Sequence, residues 1–314
     1  TCPPWVPVVG LKKESILFLI YSNLGIKKIE YNNITNDKPK KTINISRLMP
    51  DIKTNVNQER KTSKVCPISG CILNNSAIGK IAIKLKKYVE KIYSILPFEI
   101  DFFRKYNCNI KYVGNPISNY IEKGEIQLEK SEKTISLLPG SRNSELKYSV
   151  PIFKKIIEIL SEYKFKVCAV DNVDQKLYED FNNFENTELV YDNTYKVVSS
   201  SKLSIVMSGT ASLEVAFTDT PQVVVYKTSN LSFILAKFLI NVKYISLVNL
   251  ILNKSLVREL IQNDFNHKYL LKEINYLEDP INVDKALSGY KKLREIIGAK
   301  NAADEVEKSI IKSL

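Results

Sequence analysis

From Lys202 to Tyr226 the chain reads KLSIVMSGTASLEVAFTDTPQVVVY, and few folds accommodate that order of residues. Leu203–Met207 is an apolar run of strand length, Ser208-Gly209-Thr210 is a turn of small residues, and Ala211–Phe217 has the composition of a helix start. A second apolar run then ends at Tyr226, so the whole reads as strand, turn, helix, strand. Such a turn leaves backbone N–H groups free at the positive end of a helix, and its small side chains let a phosphate approach closely. Glu214, about one turn into the helix, suits two neighbouring hydroxyls such as those of a ribose, or compensation of the helix dipole. Taken alone, the turn reads first as tight packing.

The same logic repeats upstream. Thr134–Leu138 reads as a strand, Pro139-Gly140-Ser141-Arg142 as a turn, and Glu145–Tyr163 as a helix with apolar Val150, Phe153, Ile156, Ile157 and Leu160. Strands at Phe165–Val170 and Glu188–Val190 alternate with helices at Leu177–Phe184 and Thr194–Ser200. This alternation implies parallel pairing with right-handed crossovers, hence a Rossmann-like α/β domain with ligands at the carboxyl ends of its strands. The two turns then share one edge of the sheet. There Arg142 offers a permanent bidentate cation to a diphosphate, or pairs with Glu145 one turn on.

The first part of the chain is less regular. Ser15–Ser22 could form a strand, and the polar run Asn32–Lys64 reads as loop or disorder. Ile78–Lys91 is a basic amphipathic helix, read as a solvated lysine face over a core stripe before any contact with acidic lipid. Ile92–Leu96 and Ile110–Val113 are strands, with a helix opened by Pro97 between them, and Gly114-Asn115-Pro116 is a turn. Ile117–Lys133 looks like a crossover between domains. Beyond Tyr226, Leu231–Ile240, Ser255–Asn263, Lys268–Leu277 and Val283–Leu314, broken near Gly298, read as helices. Asn249 inside YISLVNLIL reads first as a turn former or a satisfied buried amide.

Composition narrows the function. A net charge of +12 favours an anionic partner, but the lysines are dispersed and no basic-aromatic motif accompanies them, which argues against nucleic acid. The 5 cysteines are an odd number without a metal-site repeat, so neither a disulfide framework nor a zinc site is expected, and a reducing cytoplasm fits. No apolar stretch reaches the roughly 18 residues of a membrane span. His267 is the only histidine and lies outside any nucleophile motif. The chain opens on Thr1 without a signal-peptide pattern, so a fragment or a displaced start is expected.

Four segments in fixed order, LLPGSRNSEL (137–146), MSGTASLEVAF (207–217), TPQVVVYKTS (220–229) and LAKFLINVKYISLVNLILNKSLVRELIQNDFN (235–266), closely resemble the lipid-A-disaccharide synthase family of GT-B glycosyltransferases. ILPFEIDFF (95–103) and KYVGNP (111–116) extend the likeness, which covers residues 78–314. The resemblance implies an α/β fold of GT-B type with two Rossmann-like domains, the N-terminal one incomplete. Residues 1–123 are then the acceptor side, 124–295 the UDP-sugar domain and 296–314 a C-terminal helix.

It further implies transfer of a diacylglucosamine unit from UDP-2,3-diacylglucosamine to 2,3-diacylglucosamine 1-phosphate, giving a β-1,6-linked disaccharide and UDP. On that reading Gly140, Ser141, Arg142, Ser208, Gly209 and Thr210 bind the UDP donor, with Arg142 and the Ser208–Thr210 helix end compensating the diphosphate. Glu214 holds the ribose, and Asn249 and Gln262 lie near the donor site. The family uses no metal, in keeping with the lack of a D-x-D pair, and no cofactor is expected. The implied setting is cytoplasmic and peripheral to the inner membrane, with a homodimer exchanging C-terminal helices. The family's acidic catalytic motif and early G-E-x-S-G-D turn are missing from residues 1–77. CPISGCILNN (66–75) replaces a Trp-rich segment, and Asn115 stands where the family has His. The general base is therefore unassigned. The alternatives are a catalytically impaired UDP-binding remnant or another UDP-sugar enzyme such as an epimerase.

Overall fold

A computed structural model of the chain describes residues 17–18, 77–118, 130–229 and 243–312. The expected loop Asn32–Lys64 and helix Leu231–Ile240 lie outside the described residues, as does most of the expected crossover Ile117–Lys133.

The first described part is a small parallel sheet, β1 (Leu17–Phe18), β2 (Ile92–Ser94) and β3 (Ile110–Tyr112), in the order β1-β2-β3. The helices α1 (Ala77–Tyr88) and α2 (Glu99–Lys105) connect and flank it. Ala82, Ile92, Phe103 and Cys108 form its core.

The second part is a larger sheet of β4 (Thr134–Leu138), β5 (Lys164–Cys168), β6 (Thr187–Val190), β7 (Leu203–Met207), β8 (Gln222–Tyr226) and β9 (Arg258–Ile261). Its spatial order is β6-β5-β4-β7-β8-β9, and every pairing is parallel. This is the doubly wound order, and its strand sequence reverses between β4 and β7. All five residues of β4 and of β7 are buried, as parallel strands covered on both faces must be. Their hydroxyls are not orphaned: Ser136 Oγ and Ser204 Oγ, on adjacent strands, lie 2.6 Å apart.

The helices divide between the two faces. One face, with Ile135, Leu137, Phe165 and Ile205, packs on α3 (Asn143–Ile159) through Phe153 and Ile156, and on α7 (His267–Tyr276) through Leu270 and Ile274. On the other, Leu138, Val206 and Val224 meet α4 (Thr194–Ser199), α5 (Ala211–Phe217), α6 (Leu247–Leu252) and α8 (Pro280–Ile297). Leu96, just past β2, joins this second cluster, so the first part is anchored in the core of the second.

α8 ends at Gly298, and α9 (Ala302–Ile311) returns to the small sheet. Ala302 and Val306 pack on Tyr93 and Val113. Ser309 Oγ accepts from Lys91 Nζ at 2.8 Å and from Tyr93 OH at 3.0 Å, while Lys111 pairs with Glu305 at 2.9 Å.

The α/β alternation and the parallel pairing are those expected, and two elements are corrected. Ser255–Asn263 is not a helix, because Arg258–Ile261 forms the edge strand β9, in register with Val223–Tyr226. Leu256, Val257, Leu260 and Ile261 fit a helical stripe equally well, and only the open edge of β8 selects the strand. Leu177–Phe184 is not an α-helix: Gln175–Asn183 forms a 3-10 stretch with Phe184 as its extended C-cap, and the Asp174 side chain caps its start by accepting from Lys176 N–H.

Candidate functional site

The turns after β4 and β7 flank the point where strand order reverses, which in open α/β sheets is where a ligand crevice forms. Each turn is small because the next helix must start within a few residues of its strand.

After Leu138, Gly140 takes a φ of +116°, a conformation L side chains avoid. A Cβ there would meet Glu145 Oε2 at 2.5 Å. The Glu145 carboxylate folds back over the turn, accepting from Ser141 N–H at 2.9 Å and from Arg142 Nη1 at 3.2 Å. Ser149 Oγ donates to Pro139 O at 2.9 Å and ties the turn to α3. Arg142 thus adopts the local pairing its sequence allowed, yet its side chain keeps 38% exposure. A partly exposed i,i+3 pair is worth about 0–1 kcal/mol, so a better anion can displace it.

Tyr226, at the end of β8, belongs to this corner, although nothing in its local sequence marks it. Burial raises its phenol pKa, the Glu145 charge raises it further, and Arg142 opposes. The signal is tertiary, because β8 must lie beside β7 before the ring can reach the first turn.

After Met207, Ser208 is buried, its N–H donating to Val225 O at 2.8 Å and its Oγ to Ile245 O at 3.0 Å. Ser212 N–H turns back to Gly209 O and Leu213 N–H to Thr210 O, closing the first turn of α5. The N–H groups of Gly209, Thr210 and Ala211 have no acceptor among the described residues. Glu214 is half-buried, its carboxyl pKa is raised by desolvation, and its charge reaches the Cys168 thiol at the end of β5. Among the described residues it has no hydrogen-bond partner. A desolvated carboxylate without a partner among the described residues can accept donors from outside the chain.

Asn249 and Gln262 behave differently. The Asn249 amide is fully buried and fully used: Nδ2 donates to Val257 O and Glu259 Oε1, and Oδ1 accepts from Leu256 N–H and Val257 N–H. It is the satisfied buried amide of the plainer sequence reading, with no donor or acceptor left for a ligand. Gln262, in the left-handed region at a φ of 54°, clips the Thr228 peptide by donating from Nε2 at 3.0 Å and accepting at Oε1 at 2.8 Å. The structure therefore brings the two turns and Glu214 together, and gives Asn249 and Gln262 to the loops around them.

A hollow of about 420 Å³ lies elsewhere, lined by Lys243, Tyr244, Arg258 and Tyr269 among others and by none of the candidate residues. Among the described residues no group of three or more His, Cys, Asp or Glu side chains is placed to hold a metal ion.

Comparison with known proteins shows the family to which the chain belongs. The lipid-A-disaccharide synthetase family model matches residues 79–309. A lipid-A-disaccharide synthase of Wigglesworthia glossinidia brevipalpis is 35% identical over 210 residues, covering 61% of this chain and 54% of the relative. One from Persephonella marina is 30% identical over 241 residues, covering 70% of this chain and 64% of the relative. The chain thus spans between 54% and 64% of the length of these relatives. Among solved structures, a UDP-GlcNAc 2-epimerase from Neisseria meningitidis aligns at 12% identity with a TM-score of 0.48, covering 72% of this chain and 62% of that one. Because the match runs unbroken from α1 to α9 and takes in both turns at the strand reversal, this chain belongs to the lipid-A-disaccharide synthetase family.

Proposed function

We propose that the chain binds the UDP-sugar donor of a lipid A biosynthesis glycosyltransferase. On this reading it carries the donor domain, residues 124–295, part of the acceptor side within 1–123, and the returning helix 296–314 of a GT-B enzyme. The substrates are UDP-2,3-diacylglucosamine and 2,3-diacylglucosamine 1-phosphate, and the products are the disaccharide and UDP.

The observation that carries the reading is the pair of turns across the β4/β7 reversal, with Arg142 on one side and, on the other, Glu214, which has no hydrogen-bond partner among the described residues. A diphosphate leaving group needs positive compensation as the glycosidic bond breaks. Arg142 supplies a fork of donors, and the N–H groups of Gly209, Thr210 and Ala211, without an acceptor among the described residues, supply fixed dipoles. When the diphosphate arrives, Arg142 exchanges Glu145 for phosphate oxygens, giving up an exposed pair for charge-assisted bonds worth about 1.5–3 kcal/mol each. Glu214 accepts the ribose hydroxyls, which ends its partnerless burial. Gly140 and Ser141 shape the approach.

Diacylated substrates place the work at the cytoplasmic surface of the inner membrane. Among the described residues no helix is long and apolar enough to cross a membrane. On this reading contact with the membrane is peripheral and the enzyme a homodimer, as the family resemblance implies.

Calorimetric titration of UDP into the chain tests the donor site. Binding is expected, and Arg142→Ala or Glu214→Ala should each weaken it by about 1–3 kcal/mol. A folded wild type that does not bind UDP sinks the reading. Supplying both acylated substrates then separates an active transferase, which releases disaccharide, from a protein that binds UDP without turnover.

A further inference from the structure

Glu259, the second residue of β9, pairs in register with Val224 of β8 and turns its side chain to the segment before α6. Its carboxylate collects four donors: Ile245 N–H at 3.0 Å, Ser246 N–H at 3.0 Å, Ser246 Oγ at 2.8 Å and Asn249 Nδ2 at 2.8 Å. Its neighbour Arg258 is engaged elsewhere, forked onto Glu273 at 3.0 and 3.2 Å. Four donors on one carboxylate, two of them backbone N–H groups, make a junction and not a surface ion pair.

The junction continues in both directions. Ser246 Oγ accepts from Asn249 N–H at 3.2 Å as the cap of α6, and Asn249 in turn binds the 256–257 peptides leading into β9. On the other side, Ile245 places its N–H on Glu259 and its carbonyl on the hydroxyl of Ser208, 3.0 Å away. One residue therefore links the edge-strand carboxylate to the turn that opens α5. Ser208 is held from the opposite side by its N–H to Val225 O.

We propose that Glu259 is a positioning residue for the donor site: by fixing Ile245 and Ser246 it holds Ser208, and with it the N–H groups of Gly209 and Thr210, where a nucleoside diphosphate is received. The inference rests on the donor-site reading above. It assigns Asn249 to the same device, where it acts on the nucleotide through Glu259 and without touching it. Four residues of the 235–266 motif, Ile245, Ser246, Asn249 and Glu259, thereby serve a turn roughly 40–50 residues upstream.

Glu259→Gln preserves shape and places an amide nitrogen against donors, so it breaks the junction with little change of volume. Two readouts on the whole chain test it. In UDP titration, Glu259→Gln is expected to weaken binding tenfold or more, Ser208→Ala several-fold, and the double variant no further than Glu259→Gln alone, because the two losses lie in series. Losses that multiply in full overturn the proposal.

In amide hydrogen exchange without nucleotide, Glu259→Gln is expected to speed Ile245, Ser246 and Ser208 by tenfold or more while Leu137 in β4 stays protected. An unchanged Ser208 amide overturns the proposal whether or not UDP binds. A wild type that fails to bind UDP refutes the donor reading, and the exchange result still reports separately on the junction. Should Glu259→Gln not fold, Ser246→Ala, which removes one donor hydroxyl, carries the same exchange comparison.

Discussion

Single residues hold most of the tension in this chain. Glu99 is 4% exposed, Oε1 is buried with no hydrogen-bond partner among the described residues, and Oε2 lies 2.5 Å from Ser94 Oγ. Ser94 Oγ also lies 2.7 Å from Leu96 O and accepts from Leu96 N–H, so its single proton faces two acceptors. A protonated Glu99 resolves the count by donating to Ser94, which then donates to Leu96. Burial agrees, lifting the Glu99 pKa from 4.5 to about 7 against the opposing bonds from Ser94 and Leu96. The folded pKa is the higher one, so this group's contribution is whole below about pH 4.5 and is lost as pH rises through about 7. Between pH 5 and 8 the wild type should lose about 2.5 kcal/mol more urea stability than Glu99→Gln. Equal losses in the two proteins would show that Glu99 ionises freely in the fold.

At the scale of elements, the turns matter more than the strands they follow. Gly140 sits at a φ of +116°, and a Cβ added to it would stand 2.5 Å from Glu145 Oε2, so any side chain both strains the backbone and pushes the carboxylate away. Gly140→Ala should cost about 1–3 kcal/mol in chemical denaturation and weaken UDP binding as well. Substitution in the buried body of α3 should separate the two effects. Phe153→Ala, at 0% exposure, is expected to cost about 3–5 kcal/mol of stability while leaving UDP affinity in the folded fraction unchanged. If Gly140→Ala proves neutral in both measurements, the turn is looser than its geometry states.

For the whole molecule, the returning helix decides how the two parts share stability. α9 covers Tyr93 and Val113, which are 1% and 0% exposed, and Gly114 passes so close that a Cβ would meet Lys300 O at 2.3 Å. Deleting residues 299–314 should uncover that apolar surface and make residues 77–118 the first site of limited proteolysis, while the larger sheet resists. Simultaneous cleavage in both parts would show instead that they unfold as one unit.

Local sequence was sufficient wherever the deciding interactions are local. The runs at 134–138 and 203–207 read as strands from their length and flanking small residues, those small residues read as turns, and Arg142 with Glu145 three residues on could be read as a pair. Contacts that close over long separations were not legible. Ser255–Asn263 carries apolar residues that suit helix or strand, and the free edge of β8, more than thirty residues earlier, chose the strand. Tyr226 reaches Arg142 and Glu145, and Glu259 reaches Ile245 and Ser246, only after the sheet has assembled. The sequence by itself determined an α/β chain with two anion-suited turns, because periodicity and turn chemistry act within a few residues. Tertiary structure alone decided that Asn249 is spent on the scaffold, that Glu214 has no hydrogen-bond partner among the described residues, and that β9 braces the turn, because burial and hydrogen-bond satisfaction are set by whichever neighbours the fold brings near.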